Sequence, residues 1–130
     1  MDDKQKKIFI ADDDKDILQI MRLMLQTKPY KVETSCDATD IFNQEEDLPD
    51  LILLDIWMSG IDGREICSRL KKNERTKDIP VIFISANSNI KNIAEQYNAD
   101  GYIAKPFEME YFLNIIDDTL AIDNVAHAGA

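Results

Sequence analysis

Residues 51–63 read LILLDIWMSGIDG. Four consecutive apolar residues, Leu51 to Leu54, run straight into an acid, Asp55. A short unbroken apolar run bounded by turn residues predicts a strand buried on both faces. Asp55 is then the last residue of a central strand, where the chain leaves the sheet. Gly60 and Gly63 permit a tight, sharply returning loop. A carboxylate on a rigid strand end, at the rim of a sheet, is a place where chemistry can be positioned.

Outward from this stretch, the chain alternates between two periods. Lys7–Ala11 (KIFIA) predicts a first apolar strand that also ends in acids: Asp12, Asp13 and Asp14. From Asp16 the pattern turns helical, with Ile17, Ile20, Met21, Met24 and Leu25 on one face. An Asp at the start suits both capping and the helix dipole. Tyr30–Ser35 alternates like a short edge strand, and Asp37–Gln44 predicts a short helix. After Gly63 comes a third helix, with Ile66, Cys67 and Leu70 inward and Arg64, Arg69, Lys71 and Lys72 outward. Ile79–Ile84 predicts a buried strand ending at Ser85. Ile90, Ile93, Ala94 and Tyr97 mark a fourth helix, and Gly101–Ala104 a last short strand closed by Lys105-Pro106. Phe107 to about Leu120 predicts the final helix, with Phe112, Ile115, Ile116 and Leu120 toward the core.

Five such βα units imply a parallel sheet covered on both faces, and right-handed crossovers make it doubly wound. Residues 1–122 are expected to form one domain, and 123–130 a flexible tail. In such sheets ligands sit outside the carboxyl ends of the strands.

Composition narrows the function. With 130 residues the chain is long enough for one hydrophobic core without disulfide or metal staples. A formal net charge of −10 argues against direct nucleic-acid binding, which needs a basic stripe. No apolar run is long enough to insert in a membrane, and the charged start MDDKQKK lacks the apolar core of a signal peptide; the expected location is cytoplasmic. Cys36 and Cys67 lack metal spacing and are expected to be reduced, packed thiols. His127, the single histidine, is expected to be a surface side chain in the small-residue tail.

Collected together, the strand ends present Asp12, Asp13, Asp55, Ser85 and Lys105. Any one of these acids alone reads more readily as a helix cap than as a ligand; their joint occurrence at four strand ends changes the reading. Two carboxylates about 4 Å apart repel by roughly 4 kcal/mol at an effective dielectric of 20, so a cluster of them is suited to a cation. Hard oxygen donors in an open, wet site suit Mg²⁺, which pairs readily with phosphate oxygens. Lys105 can then balance a phosphoryl oxygen and Ser85 can hydrogen-bond another.

Over about Lys7 to Leu120 the sequence resembles the receiver domain of bacterial two-component response regulators, of the chemotaxis-receiver-like single-domain kind. The matching stretches are IFIADDD, LILLDIWMSGIDG, VIFISA and GYIAKPF. The resemblance implies a flavodoxin-like (βα)5 fold with strand order 2-1-3-4-5. It makes Asp55 the phosphoacceptor, and Asp12, Asp13, Asp55 and the Trp57 backbone carbonyl the ligands of Mg²⁺ or Mn²⁺. It assigns the phosphoryl contacts to Ser85 and Lys105, makes Ser85 and Tyr102 the switch, and makes Trp57 and Asn87 modulators of the acyl-phosphate lifetime. It also suggests a cis bond at Lys105-Pro106.

The implied partners are a sensor histidine kinase or phosphotransfer protein and a downstream protein target, reached through the face of helix four, strand five and helix five. Such a domain catalyses its own phosphorylation and dephosphorylation and is not a turnover enzyme. The alternative is a degenerate receiver that binds protein without taking phosphate. A flavin carrier would need a Ser/Thr/Gly-rich loop where three aspartates stand, and a dehalogenase-type hydrolase would need an acid at Trp57. One departure from the family pattern is notable: proline usually follows the loop methionine, whereas Met58 is followed here by Ser59 and Gly60.

Overall fold

The computed structural model describes residues 5–44 and 46–128, with side chains described to Ala121. Its centre is a five-stranded parallel sheet of β1 (Lys7–Ala11), β2 (Lys31–Ser35), β3 (Leu51–Asp55), β4 (Val81–Ser85) and β5 (Gly101–Ala104), in the order β2-β1-β3-β4-β5. This is the expected 2-1-3-4-5 sheet. β3 is the central strand, with Ile8 opposite Leu51 on one side and Ile52 opposite Val81 on the other. All five of its residues are buried, as its unbroken apolar run requires.

Strand alternation divides the core in two. Phe9, Ile52, Leu54, Val81 and Phe83 face one layer, formed by α2 (Gly63–Lys72) with Ile66, Cys67 and Leu70, and by α3 (Ile90–Gln96) with Ile90, Ile93 and Ala94. Ile8, Ile10, Leu51, Leu53, Ile82, Ile84 and Ile103 face the other layer. There α1 (Lys15–Leu25) contributes Leu18, Met21 and Leu25, and α4 (Met109–Ala128) contributes Phe112, Leu113, Ile116 and Leu120. Each large apolar side chain taken from water contributes about 1.5–3 kcal/mol, so the two layers clamp β3 from both sides and make its end rigid.

Several elements depart from expectation. Asp37–Gln44 forms a five-residue 3₁₀-helix, Thr39–Asn43, entered through Ala38 at φ +71° and burying Ile41 alone. The inward face of α1 is rotated: Leu18 is buried and Ile20 is 44% exposed. The helix begins one residue earlier than expected, with the Asp14 side chain accepting from the Asp16 and Ile17 N–H groups. The final helix, expected to end near Leu120, continues to Ala128, so residues 123–128 of the expected tail have helical backbone; the His127 side chain lies outside the described residues. Cys67 is buried and Cys36 is exposed, both as free thiols, so only one of the two is packed. Among the described residues no helix is long and apolar enough to cross a membrane.

Candidate functional site

Four strands deliver the site at the carboxyl rim of the sheet. Asp55 ends β3, level with Ile84 of β4, and Ser85 is the next residue along. Asp12 and Asp13 follow β1 directly, and Lys105 follows β5. The Asp12 side chain is 1% exposed, and its Oδ1 accepts from the Asp14 N–H at 2.9 Å. Lys105 Nζ lies 2.9 Å from Asp12 Oδ2 and 3.6 Å from Asp55 Oδ2, bridging the two carboxylates. Lys105-Pro106 is a cis peptide bond.

Electrostatics at this rim are unbalanced. Asp12, Asp13 and Asp55 each bring a carboxylate oxygen within 4.8 Å of the other two, against one ammonium. Burial pushes the Asp55 carboxyl up to about 6, aided by the Asp12 charge and opposed by Lys105 and the Trp57 N–H. Burial pulls the Lys105 ammonium down, but its hydrogen bond to Asp12 and the charges of Asp55 and Asp12 outweigh this, and its pKa rises. Three hard oxygen donors at this spacing fit a small hard dication, which takes one or two carboxylates and keeps several waters.

The loop after Asp55 is more ordered than its sequence suggests. Trp57–Met58 and Ile61–Asp62 pair as a two-residue antiparallel hairpin. Ser59 and Gly60 form its turn with φ of +47° and +83°, which is the primed turn geometry that matches strand twist. The Trp57 N–H points to Asp55 Oδ1 at 3.4 Å, and the residue is 58% exposed. Gly63 opens α2 against the end of β3: a Cβ there would stand 2.1 Å from the Asp55 carbonyl oxygen.

On the other side, the Ser85 hydroxyl accepts from the Asn87 N–H at 3.0 Å, and the Lys105 N–H donates to the Ser85 carbonyl. Asn87 is exposed and its Oδ1 accepts from the Asn89 N–H at 2.8 Å, folding the loop into α3. Tyr102 is half-buried and packs against the core layer that contains Ile90, Ile93 and Ala94. Phe107 stacks on Phe112 with ring centroids 5.0 Å apart, Tyr97 packs against the core, and Tyr111 is 44% exposed.

Two residues were given no part in the site from sequence. Ser59 donates its N–H to Asp13 Oδ2 at 2.8 Å, with its hydroxyl 3.3 Å from the same oxygen. Asp14 caps α1, its side chain accepting from the Asp16 and Ile17 N–H groups. The capping run DDDKD carries a signal for Asp14; the Ser59 contact spans 46 residues and has none.

These observations define a doubly wound α/β protein with an acidic, lysine-bridged cluster at the carboxyl end of its central strand. A profile of the response regulator receiver domain matches residues 8–117, and the chain belongs to that family, the receiver domains of two-component response regulators. It is 36% identical over 110 residues to the DNA-binding dual master transcriptional regulator RpaA of Synechocystis sp., covering 82% of this chain and 46% of that protein. It is 39% identical over 112 residues to the nisin biosynthesis regulatory protein NisR of Lactococcus lactis subsp. lactis, covering 80% and 45%. The chain thus spans about half the length of these curated relatives. Its fold is similar to that of a CheY-like response regulator receiver domain protein from Methanospirillum hungatei, with a TM-score of 0.84 at 25% identity over 95% of this chain and 99% of that one.

Proposed function

We propose that this domain accepts a phosphoryl group on Asp55 from a phosphohistidine of a sensor histidine kinase or phosphotransfer protein. The observation that carries the reading is Lys105 standing between Asp12 and Asp55 beside a third carboxylate, Asp13. A carboxylate oxygen of Asp55 attacks phosphorus in line with the P–N bond. That bond breaks, the imidazole leaves with its electron pair and takes up a proton, and Asp55 holds an acyl phosphate.

Phosphoryl transfer asks the protein mainly for positioning and charge neutralisation. Lys105 neutralises one phosphoryl oxygen, and the Ser85 hydroxyl turns from the Asn87 N–H to donate to another. Asp12, Asp13, Asp55 and the Trp57 carbonyl would hold Mg²⁺ or Mn²⁺. When bound, that cation supplies the positive charge that three carboxylates lack and offsets the charge of the incoming phosphate. Water attacking the same phosphorus returns Asp55 to the carboxylate, at a rate that Trp57 and Asn87 influence from the flanks.

The output follows from the same geometry. Movement of Ser85 pulls the loop that leads into α3, and Tyr102 on β5 packs beneath that helix. The face of α3, β5 and α4, the expected face of helix four, strand five and helix five, therefore changes with phosphorylation and meets a downstream protein. The domain works as a switch with self-catalysed chemistry, not as an enzyme on an external substrate. A phosphate-independent binding module would have no need of a half-buried lysine between two acids.

Intact-mass measurement after incubation with acetyl phosphate and Mg²⁺ tests this. One phosphoryl adduct is expected, lost in Asp55→Asn and lost in chelator. An unmodified parent protein, or an adduct that persists in Asp55→Asn, overturns the reading.

A further inference from the structure

We propose that Ser59 is a positioning residue for the metal site, its backbone N–H fixing the Asp13 carboxylate and so the cation. This rests on the reading of the acidic cluster as a divalent-cation site. Asp13 is exposed, unlike Asp12, so the fold does not restrain its side chain by packing. Among the described residues, the hydrogen bonds its carboxylate accepts both come from Ser59, from the N–H at 2.8 Å and the hydroxyl at 3.3 Å, both to Oδ2. A carboxylate has two oxygens, and anchoring one fixes where the other lies. The anchor reaches across from the loop that carries Trp57, so one contact ties the β1 end of the site to the β3 end.

The turn chemistry makes the contact possible. Met58 pairs with Ile61, and Ser59 and Gly60 between them both have positive φ. Proline has no N–H and its φ is locked near −65°. The residue usual after the loop methionine in this family therefore can neither adopt this turn nor make this bond. The departure noted from sequence is the condition for the contact. Hydrogen bonds that orient metal-ligating side chains are commonly worth 10–100-fold in metal affinity.

Calorimetric titration of the metal-free protein with Mg²⁺ tests the inference without recourse to activity. Ser59→Pro is expected to weaken Kd by about 10–100-fold. Ser59→Gly keeps the N–H and suits the positive φ, so it is expected to stay within about threefold of the parent, the loss of one weak hydroxyl contact. In an Asp13→Ala background, Ser59→Pro is expected to add less than about twofold, since coupled residues do not lose twice. An unchanged Kd in Ser59→Pro, or an equal loss with and without Asp13, overturns the role of Ser59. Absence of binding by the parent protein overturns the cation reading beneath it.

Amide exchange provides a measurement that does not depend on how Ser59→Pro folds. The Ser59 amide is expected to exchange at least about tenfold faster in Asp13→Ala than in the parent, as a lost hydrogen bond of about 1.4 kcal/mol implies. Equal rates overturn the proposal.

Discussion

The two rims of the sheet use acids in opposite ways. At the amino rim, Asp50 accepts the Lys7 N–H at 2.8 Å and returns its own N–H to the Lys7 carbonyl. Asp100 repeats the pattern, accepting the Val81 N–H at 2.8 Å and donating to the Val81 carbonyl. Each acid precedes one parallel strand and satisfies the first N–H of its neighbour. Lysines stand close: Lys71 Nζ is 2.7 Å from Asp100 Oδ2, and Lys7 Nζ is 3.0 Å from Glu33 Oε1. At the carboxyl rim, three carboxylates converge and one lysine pairs with two of them. Charge at the first rim completes the backbone. Charge at the second exceeds what the fold requires, and that surplus marks the site.

The largest expected effect follows from the surplus. Asp55 has a folded pKa of about 6 against an ordinary 3.8, so between these values the folded state binds more protons than the unfolded chain. Stability of the metal-free protein therefore falls as pH rises from about 4 to 6 and levels off above, by about 3 kcal/mol for a shift of this size. Asp12, Asp13 and Lys105 face this group, and the attraction of Lys105 is already included in the net rise. Asp55→Asn is expected to stabilise the metal-free protein at pH 7 by up to about that amount and to flatten the slope. Urea unfolding in chelator at pH 4.5 and pH 7 measures both. An Asp55→Asn protein no more stable than the parent at pH 7 would mean that this rim carries no strain.

The next contrast is steric. A Cβ at Gly63 would stand 2.1 Å from the Asp55 carbonyl oxygen and 3.0 Å from the Ile56 Cα, so backbone must move. At Gly101, on the amino rim, it would meet the Ile82 side chain at 3.7 Å, an ordinary contact. Gly63→Ala is expected to cost about 1–3 kcal/mol as overpacking and to slow adduct formation on Asp55, whose backbone it displaces. Gly101→Ala is expected to do neither. Denaturant midpoints and the initial rate with acetyl phosphate separate the two, and equal effects would erase the distinction between the rims.

How much of this was legible in sequence depends on the range of the signal. The end of β3 at Asp55 is readable because burial on both faces writes itself as an unbroken apolar run. The doubly wound sheet and the five strand-end positions follow from βα alternation and the rule that ligands lie at carboxyl ends, whereas the strand order followed only from the resemblance to receiver domains. The face of α1 was misread because apolar periodicity gives a broad stripe without its phase: Ile17, Ile20 and Met24 compete with Leu18, Met21 and Leu25, and docking on the sheet chose the second set. The hairpin of Trp57–Met58 and Ile61–Asp62 is too short for any period to register. The Ser59 contact to Asp13 depends on two positive φ angles and a 46-residue separation, neither of which a local pattern encodes.

The smallest expected effect sharpens the comparison from the quiet rim. Lys71 and Asp100 form the shortest ion pair there, at 2.7 Å with side-chain exposures of 22% and 41%. Exposed pairs contribute about 0–1 kcal/mol, and Asp100 keeps its bond from the Val81 N–H whether or not the lysine is present. Lys71→Met keeps an unbranched stem but removes the charge and the 3.4 Å hydrogen bond that Nζ donates to the Ile79 carbonyl; it is expected to cost less than about 1 kcal/mol. The same variant gauges independence. Mg²⁺ at a hundred times its Kd is expected to add about 2.7 kcal/mol to the parent by binding the folded state alone. Lys71→Met should gain the same increment, because it lies at the far end of the strands and exposed charges beyond about 10 Å are screened at ordinary salt. Thermal unfolding with and without Mg²⁺, at constant ionic strength, measures the increment in each protein. A diminished increment in Lys71→Met would show that charge at the amino rim reaches the acidic cluster, and the division of labour between the two rims would fail.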